Sequence, residues 1–511
     1  MRPWSAVSSA TAGEHQRLLQ GLEDCAAAQQ QQLADLLSAS ARGEFGRSHG
    51  FDRLSDPDAY RGTVPLSSYD DFAADIQDRP ENGLLGEPIL LYEETSGSSG
   101  SVKLIPYAQR SLNGFQCAVQ PWLHDLADRY PRLGQGYFAV SPVARKRRIT
   151  AGGVPIGSES DVLYFGAGLA EPMRTISLVP EQIARVTEIS QWQRLTLLYL
   201  LRAPDLTFLS VWSPTFLTSL LTELPHLAEE LLRDMRDGLR QPFPGAAPIA
   251  PDPERAAKAA LAISQGRIRT PMLWPDLHFI STWTHGSSAR FLNQLQQLFP
   301  HATIQGKGLL ATEGAVSVPL SDFAYPVLAV NSGFFEFLDD AGRSYLAHET
   351  VTGQEYQVVM TVPGLYRYRN GDRVRIRGRA GTAPQLEFIG RGGLVSDLAG
   401  EKLSESFVCR CLEHIEGFAM LAPSLVPRLH YQLLVENADD LARERVEASL
   451  QTNPQYAYAR ALGQLGPLEL VAVPQALQRY QKLALAKGQR LGDIKPPSLR
   501  PETDWVVRIR S

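Results

Sequence analysis

The stretch with the clearest chemical potential runs from Glu94 to Lys103 and combines glycines, hydroxyl side chains and a closing lysine. Glycine lets backbone N–H groups approach an anion closely, serine and threonine add donors, and lysine adds positive charge. Such a loop can cradle a polyphosphate, although Gly/Ser-rich runs are also typical of linkers and surface turns. The spacing of Gly97, Gly100 and Lys103 excludes a P-loop, which requires G-x-x-x-x-G-K-[ST].

Two further clusters carry acidic side chains. Thr312 can hold a phosphate through its hydroxyl, and Glu313 beside it can ligate Mg²⁺, whereas the alternative role of such a pair is a helix cap. In the string Gly364–Asp372, tyrosines and arginines alternate into a predicted Gly-Asp turn. Asp372 at the end of such a strand can accept both hydroxyls of a ribose, because a carboxylate offers acceptors and a vicinal diol offers donors. The alternative is an edge strand with one basic face.

Two lysines near the C-terminal end complete the set of candidate groups. Lys402 follows Gly400-Glu401, and Lys495 stands between Gly492-Asp493-Ile494 and Pro496-Pro497. A lysine on a loop bounded by glycine or proline can be carried into an active site by a domain motion. A solvated surface position is the alternative for each.

Composition limits the classes of function. A chain of 511 residues predicts two or three domains, and its net charge of -5 argues against nucleic acid as a main partner. Four cysteines do not make a disulfide framework, and no zinc motif is present. The sequence contains no signal peptide or apolar run of membrane-spanning length, so we expect a cytoplasmic protein without a membrane partner.

The elements that must position these residues follow from the apolar patterns. The phosphate-like loop should join two strands, and helical spacing predicts one helix from Glu14 to Arg42. Apolar runs predict strands at Gly136–Val140, Leu206–Trp212, Leu277–Ser281 and Thr303–Gln305, with helices between them that indicate βαβ units. From Phe334 the pattern becomes antiparallel, with expected strands at Phe334–Leu338, Tyr356–Val362, Val374–Arg377 and Leu386–Ile389.

The character of the chain changes near Gly390, where we place a domain boundary. The fold class is predicted as α/β. Residues 1–390 would form a large domain of mixed β-sheets with helices and a β-barrel-like part. Residues 391–511 would form a small, mobile α+β domain, with a helix from Ser404 to Glu416 and a strand from His430 to Val435.

Taken in order, these motifs resemble the adenylate-forming superfamily of acyl-CoA synthetases, nonribosomal adenylation domains and luciferases. The residues of these motifs most resemble the auxin-responsive Gretchen Hagen family of acyl acid–amido synthetases, in its bacterial form, and the resemblance covers nearly the whole chain. It is carried by Glu44–Arg47, Val64–Asp70, Thr95–Pro106, Gly364–Asp372 and Asn453–Tyr458. The Tyr-Arg-Tyr-Arg string ending in Gly-Asp and the Ile-Lys-Pro string around Lys495 are its most specific parts.

The resemblance implies ATP and Mg²⁺ as cofactors, and a carboxylic acid and an amine, most simply that of an amino acid, as substrates. Thr312 would contact the α-phosphate, Glu313 would hold Mg²⁺, and Asp372 would bind the ribose. Lys402 and Lys495 would approach the phosphates or the incoming amine. The ATP phosphates would be held by Thr95, Ser96, Gly97, Ser98, Ser99, Gly100 and Lys103, and further nucleotide contacts would come from Gly286, Leu309 and Arg391.

Two departures from the family pattern stand out. Leu309 occupies a position where the family often has a tyrosine near the adenine, and the hinge at Gly390–Gly393 lacks the usual aspartate. The acyl pocket should be lined by aromatic residues, although such residues are more often plain core. The candidates are Trp122, Phe138, Trp212 and Trp283, with Arg145–Arg148 as a carboxylate contact or a solvated run.

The reaction implied is attack of a carboxylate on ATP to give an acyl-adenylate and pyrophosphate, followed by amide formation and release of AMP. Transfer to a thiol, of coenzyme A or a carrier protein, stays open because residue types do not separate amine from thiol acceptors. A catalytically silent sensor of nucleotide or acid is the other alternative. A monomer or weak homo-oligomer is expected.

Overall fold

The structure, a computed structural model, describes residues 3–54, 56–78, 84–95, 103–138, 148–150, 153–157, 162–264, 266–437 and 439–511. The α-helices, in chain order, are α1 (Pro3–Glu23), α2 (Cys25–Ser40), α3 (Glu44–Ser48), α4 (Pro57–Thr63), α5 (Asp70–Asp78), α6 (Gln109–Arg129), α7 (Val162–Phe165), α8 (Ala170–Ile176), α9 (Ile189–Arg202), α10 (Pro214–Asp237), α11 (Pro253–Ala262), α12 (Thr270–Leu273), α13 (Leu292–Leu298), α14 (Glu405–Cys411), α15 (Asp440–Leu450), α16 (Pro454–Ala461), α17 (Ala476–Ala486) and α18 (Trp505–Arg510).

The β-strands, in chain order, are β1 (Leu91–Glu94), β2 (Leu104–Tyr107), β3 (Gly136–Phe138), β4 (Arg148–Ile149), β5 (Pro155–Ile156), β6 (Phe208–Ser210), β7 (Ile263–Ser264), β8 (Arg267–Ile268), β9 (Phe279–Thr282), β10 (Thr303–Gly306), β11 (Leu310–Ala311), β12 (Gly314–Ala315), β13 (Ser317–Val318), β14 (Val327–Leu328), β15 (Phe334–Leu338), β16 (Ser344–Leu346), β17 (Glu355–Val362), β18 (Leu365–Ala380), β19 (Ala383–Arg391), β20 (Val395–Ser396), β21 (Leu403–Ser404), β22 (Ala419–Ser424), β23 (His430–Val435) and β24 (Glu469–Ala472).

The N-terminal helical segment differs from the prediction. The helix expected from Glu14 to Arg42 is two helices, α1 and α2, and α1 begins before Glu14. The break lies at Asp24, whose side chain accepts the backbone N–H of Ala27 and caps α2. The hydrogen bond from the backbone of α2 to this aspartate favours the start of a second helix over continuation of the first one.

A parallel four-stranded sheet positions the site. Its order is β10-β9-β6-β3, and every neighbouring pair in it is parallel. These are the strands predicted from the apolar runs, and β6 and β9 are buried along their whole length. Buried parallel strands read as continuous apolar runs rather than alternating ones. Because the strands are parallel, their carboxyl ends meet at one edge.

An antiparallel seven-stranded sheet lies beside it, in the order β13-β14-β19-β18-β17-β15-β16. Its longest strand, β18, contains both the Tyr-Arg string and the predicted strand Val374–Arg377. The Gly-Asp turn predicted between them is therefore wrong: the register against β17 jumps between Arg369 and Arg373, which is a bulge within one strand. Pairing with β17 and β19 on its two sides holds the strand together through the bulge.

The C-terminal region is organised around the sheet β22-β23-β24. Side chains alternate along these strands, so that Leu421 and Leu433 face a core of their own, whereas Met420 and Leu434 join the core around the parallel sheet. The predicted strand His430–Val435 is confirmed, and the helix predicted from Ser404 to Glu416 ends earlier, at Cys411.

The buried side chain of Arg290 connects the N-terminal part of the chain to the C-terminal region. The guanidinium of Arg290 donates to the carbonyl of Ala419 at 2.8 Å and to the hydroxyl of Ser498 at 3.0 Å. Burial lowers the pKa of Arg290. The predicted α/β fold class, with an α+β C-terminal part, is confirmed; the division at residues 390 and 391 stays a prediction. Among the helices described, none combines the length and apolar character that a membrane crossing requires.

Candidate active site

A cavity of about 460 Å³ opens at the carboxyl ends of the parallel strands. Phe138 and Ser210 are the last residues of β3 and β6, and Lys307 directly follows β10. Trp212 and Trp283 follow β6 and β9 and also line the cavity. Ligands of open α/β sheets bind in the crevice outside the carboxyl ends of the strands. The sheet therefore places all of these side chains where a ligand is expected.

Thr312 and Glu313 form the two-residue turn between β11 and β12, so they do not cap a helix. Glu313 is buried, and the hydroxyl of Tyr368 donates to its Oε1 at 3.3 Å. Burial raises the pKa of the Glu313 carboxyl, while the charge of Arg391 opposes the rise. The hydroxyl of Tyr107 donates to the carbonyl of Thr312 and ties the turn to β2. This arrangement holds a carboxylate at the cavity wall, where it can bind a hard cation.

Asp372 reaches the same cavity from the bulge in β18. Its Oδ2 accepts from Nδ2 of Asn370 at 2.7 Å, and its Oδ1 accepts from Nε of Arg391 at 3.2 Å. The charge of Asp372 raises the pKa of Arg391. The bulge requires glycine at position 371, because Gly371 has a φ of 91° and a Cβ there would lie 2.9 Å from the carbonyl oxygen of Gly392. Each carboxylate oxygen has more than one acceptor site, so Asp372 can still accept from a ligand diol.

Lys495 enters the cavity from the loop after α17. Its ammonium lies 4.3 Å from the ring centroid of Phe388 and 5.7 Å from that of Trp283. Burial lowers the pKa of Lys495, and the carboxylates of Glu405 and Asp372 oppose this shift. Gly286 lies beside both groups, since a Cβ at this position would be 3.3 Å from Phe388 and 3.6 Å from the ammonium nitrogen. The C-terminal region thus supplies a cation to a site built by the N-terminal one.

The ends of the predicted phosphate loop are paired. The backbone N–H of Thr95 donates to the carbonyl of Lys103 at 3.0 Å, continuing the β1–β2 hairpin, and the predicted strand–loop–strand is confirmed on both sides. Thr95 lines the cavity, whereas the ammonium of Lys103 lies 5.4 Å from the ring centroid of Tyr69. The predicted contacts Ser96, Gly97, Ser98, Ser99 and Gly100, like Arg145–Arg147, lie outside the described residues.

The four predicted aromatic residues all line the cavity. Nε1 of Trp122 donates to Oε1 of Gln305 at 2.8 Å, which fixes this indole against β10. The rings of Trp212 and Trp283 lie 5.9 Å apart at their centroids. Phe138 packs edge-to-face on Phe208 and completes this wall. The cavity wall thus combines these aromatic rings with the charged side chains of Glu313, Asp372 and Lys495.

Comparison with known proteins assigns the chain to a family. Residues 14–304 match the GH3 family N-terminal domain, residues 326–391 its central domain and residues 405–503 its C-terminal domain. The chain belongs to the GH3 family.

Individual GH3 relatives resemble almost the entire chain. A jasmonoyl–L-amino acid synthetase of Oryza sativa subsp. japonica, GH3.5, is 26% identical, with 96% of this chain and 94% of the relative covered. The indole-3-acetic acid-amido synthetase GH3.4 of Arabidopsis thaliana is 22% identical, with 92% and 88% covered. The solved structure of AtGH3.15 acyl acid amido synthetase in complex with 2,4-DB matches with a TM-score of 0.85 at 21% identity, covering 98% of this chain and 95% of that one. The structural likeness establishes that this chain has the GH3 fold.

The GH3 cavity brings together most of the residues predicted from the sequence. Of the predicted residues that the structure describes, two do not line it: Lys103 is half-buried, and Lys402 is exposed, with a left-handed φ of 47°. The predicted residues on its wall are Thr95, Trp122, Phe138, Trp212, Trp283, Gly286, Leu309, Thr312, Glu313, Asp372, Arg391 and Lys495.

Several charged residues of this GH3 cavity were absent from the prediction, among them Glu93, Lys307 and Arg490. Glu93 on β1 accepts from the hydroxyl of Tyr164 at 3.0 Å and lies 3.9 Å from the guanidinium of Arg490. Lys307 lies between two of the aromatic rings. Each had a sequence signal, since Glu93 precedes the Gly/Ser loop, Arg490 precedes the Ile-Lys-Pro string, and Lys307 lies two residues after the predicted strand Thr303–Gln305.

Proposed function

We propose that this chain is an AMP-forming acyl acid–amido synthetase, which activates a carboxylic acid with ATP and transfers the acyl group to the amine of an amino acid. The observation that carries this proposal is the convergence of Glu313, Asp372 and Lys495 on one cavity whose wall also carries the four predicted aromatic side chains. Two relatives are named as a jasmonoyl–L-amino acid synthetase and an indole-3-acetic acid-amido synthetase, which supports the same class of reaction.

In the first half-reaction, a carboxylate oxygen of the acid attacks the α-phosphorus of ATP. A P–O bond forms to the acid, the bond from that phosphorus to the bridging oxygen breaks, and pyrophosphate leaves with the electron pair. Asp372 accepts the ribose hydroxyls and fixes the nucleotide, and the Lys495 ammonium offsets the negative charge that gathers around phosphorus. Catalysis of this kind depends on positioning and charge stabilisation rather than on covalent chemistry by the protein.

Mg²⁺ is part of this proposal, and the side chains present fit it. Mg²⁺ is usually held by one or two carboxylates together with substrate phosphates and water. Glu313 offers one carboxylate at the cavity wall. In the part of the chain that the structure describes, no group of three His, Cys, Asp or Glu residues is arranged to hold a metal. Bound beside Glu313, Mg²⁺ would neutralise part of the phosphate charge.

In the second half-reaction, the neutral amine attacks the carbonyl carbon of the acyl-adenylate. A C–N bond forms, the C–O bond to phosphate breaks, AMP leaves, and the amine loses its proton to water. Water must be excluded while the mixed anhydride waits, which a covering domain achieves. Residues 391–511 would form this small domain and rotate near Gly390 between the half-reactions, bringing Lys402 towards the cavity.

The experiment that tests the proposal measures pyrophosphate release from ATP and Mg²⁺ with a panel of aryl and aliphatic carboxylic acids. Each acid is assayed alone, with pooled amino acids, and with coenzyme A. Acid-dependent release together with the mass of an amide is the expected result. A thioester in place of the amide would reassign the enzyme to thiol acylation. Binding of ATP without release for any acid would favour the sensor.

Three finer points of the proposal rest on sequence arguments. They are that the chain is a bacterial form of the family, that it acts in the cytoplasm, and that it is a monomer or weak homo-oligomer. The assignment to a bacterial form is supported by the residues of the motifs. The second is supported by the cysteines, since Cys25, Cys117, Cys409 and Cys411 are free thiols, as is usual in a reducing compartment.

A further inference from the structure

Lys307 lines the cavity beside two of its aromatic side chains. It is the first residue after β10, and its backbone N–H continues the sheet by donating to the carbonyl of Thr282 at 2.8 Å. Its side chain then runs back across the sheet, where the ammonium donates to the hydroxyls of Ser281 at 3.3 Å and Ser210 at 2.8 Å. Both serines are buried on the neighbouring strands β9 and β6. The ammonium is therefore held at a defined point rather than extended into solvent.

Two indole rings flank this ammonium. Its nitrogen lies 5.1 Å from the ring centroid of Trp122 and 5.1 Å from that of Trp212, within the range of a cation–π contact. Trp122 is fixed by its hydrogen bond to Gln305, and Trp212 by its contact with Trp283. A flat acyl group that packs on these rings would lie against a positive charge.

The cavity has a second ammonium, that of Lys495, and a series of contacts through two indole rings connects the two. Lys495 lies 5.7 Å from the ring centroid of Trp283, Trp283 lies 5.9 Å from Trp212, and Trp212 lies 5.1 Å from Lys307. If the acid reacts beside Lys495, as the proposed function requires, its remote end points along the indole rings towards Lys307. An acid with two polar ends would therefore meet an ammonium at each of them.

We infer that Lys307 is a specificity-determining residue, which selects planar carboxylic acids that carry a hydrogen-bond acceptor at the end remote from the reacting carboxylate. This inference rests on the proposed function. A hydroxyl, oxo or second carboxylate group at that end would receive a charge-assisted hydrogen bond from the ammonium. An acid with a hydrocarbon end would bury the ammonium further without offering it an acceptor, which disfavours binding. The substrate class is thus an aryl acid with a remote acceptor.

The test uses acids that differ only at the remote position: phenylacetate, 4-hydroxyphenylacetate and 4-carboxyphenylacetate. For each, kcat and KM of acid-dependent pyrophosphate release are measured with the wild-type protein and with Lys307→Met. We expect the wild type to prefer the two acids with an acceptor by at least about tenfold in kcat/KM. Lys307→Met should abolish this preference through KM while leaving phenylacetate within about threefold of its wild-type value.

A second variant keeps the test decisive if Lys307→Met fails to fold in a thermal unfolding control. Lys307→Gln can still donate a hydrogen bond but carries no charge, so it should keep the preference for the hydroxyl acid and lose the one for the dicarboxylate. Equal losses for all three acids would overturn the inference, because they would mean that Lys307 binds the reacting carboxylate or only supports the sheet. A wild type without any preference would overturn it as well.

Failure of the proposed function would look different. In that case the wild type would release no pyrophosphate with any acid. Binding of the same three acids, followed by calorimetry in the wild type and both variants, would then still report on Lys307. The same order of preference in binding would support the inference without turnover, and equal affinities would overturn it.

Discussion

The ammonium of Lys495, carried by the C-terminal region, lies 4.3 Å from the ring centroid of Phe388 on β19. Phe388 also lines the cavity, and its ring would lie 3.3 Å from a Cβ added at Gly286. The lysine therefore stands inside the cavity in the same arrangement in which Asp372 and Glu313 line it. This is the arrangement that the proposed formation of the acyl-adenylate requires.

Replacement of Lys495 should stop the first half-reaction. We expect Lys495→Ala to lower the rate of acid-dependent pyrophosphate exchange by about 100-fold or more, because a fixed cation in an enclosed site stabilises transition-state charge strongly. Lys482→Ala, at an exposed position on α17, is the matched control and should retain the wild-type rate. The role assigned to Lys495 would be wrong if its alanine variant kept both half-reactions at full rate.

The titration of Lys495 should set the basic limb of the pH profile. Burial lowers the pKa of this ammonium, so it loses its charge at a lower pH than an exposed lysine does. Pyrophosphate release should fall as the pH rises through this lowered value. The guanidinium introduced by Lys495→Arg cannot be deprotonated in this range, so the residual activity of this variant should extend to higher pH. Identical basic limbs in the two proteins would exclude Lys495 as the titrating group.

The same shift predicts an effect on stability. Between the lowered pKa of Lys495 and its value in the unfolded chain, the unfolded state binds more protons, so the free energy of unfolding rises with pH through that window. Below the window the cost of holding the charged lysine is fully present. Lys495→Met should therefore be inactive yet more stable in urea unfolding at neutral pH, and its advantage should shrink as the pH rises. A pH-independent difference would contradict this account.

Asp372 should recognise the ribose. Asp372→Asn keeps the size of the side chain but replaces one acceptor by a donor, so it should raise the KM for ATP by about tenfold or more. It should also reduce the preference for ATP over 2′,3′-dideoxy-ATP, since the missing hydroxyls are those that the carboxylate accepts. Asp340→Asn, whose side chain is 80% exposed, is the control. An Asp372 variant that kept the full preference would rule out the ribose contact.

Arg367 should act through stability rather than chemistry. Its guanidinium makes a bidentate pair with the buried carboxylate of Glu336 at 2.8 and 2.9 Å and donates to the carbonyls of Arg61 and Val64. Arg367→Met leaves a buried charge without its partner, and we expect a loss of about 3–5 kcal/mol. Arg369→Met, at the exposed arginine of the same string, should change the urea midpoint little.

A double variant separates this ion pair from other causes. Arg367→Met combined with Glu336→Met removes both charges and should recover most of the stability that the single variant loses, because a buried pair can be replaced by apolar side chains at little cost. The double variant would contradict the explanation if it were less stable than Arg367→Met alone.

Much of the fold could be predicted because it depends on local patterns. The apolar runs identified β6 and β9, and the strand expected at Phe334–Leu338 has the bounds of β15. Asn-Gly-Asp at 370–372 indicated a turn. This prediction was wrong because β17 and β19 pair with the strand on its two sides, which the sequence does not show. The same local signal gives a hairpin turn in one context and a bulge in another.

The chemistry of the site divides in the same way. Glu313, Asp372 and Lys495 could be predicted because each lies in a short string with a recognisable composition. The role of Arg367 could not, because its partner Glu336 is distant in sequence and nothing local marks the pair as buried. Lys307 was missed for a related reason: two tryptophans and two serines that are distant in sequence define its position.

The most direct test of the proposed chemistry follows the carboxylate oxygens. An acid that supports pyrophosphate release is labelled with ¹⁸O at both carboxyl oxygens and converted in the presence of ATP, Mg²⁺ and an amino acid. If the carboxylate attacks the α-phosphorus, mass spectrometry should find one ¹⁸O in AMP and the other in the amide. Label in inorganic phosphate with ADP as the nucleotide product, or an amide formed with unlabelled AMP, would contradict an acyl-adenylate.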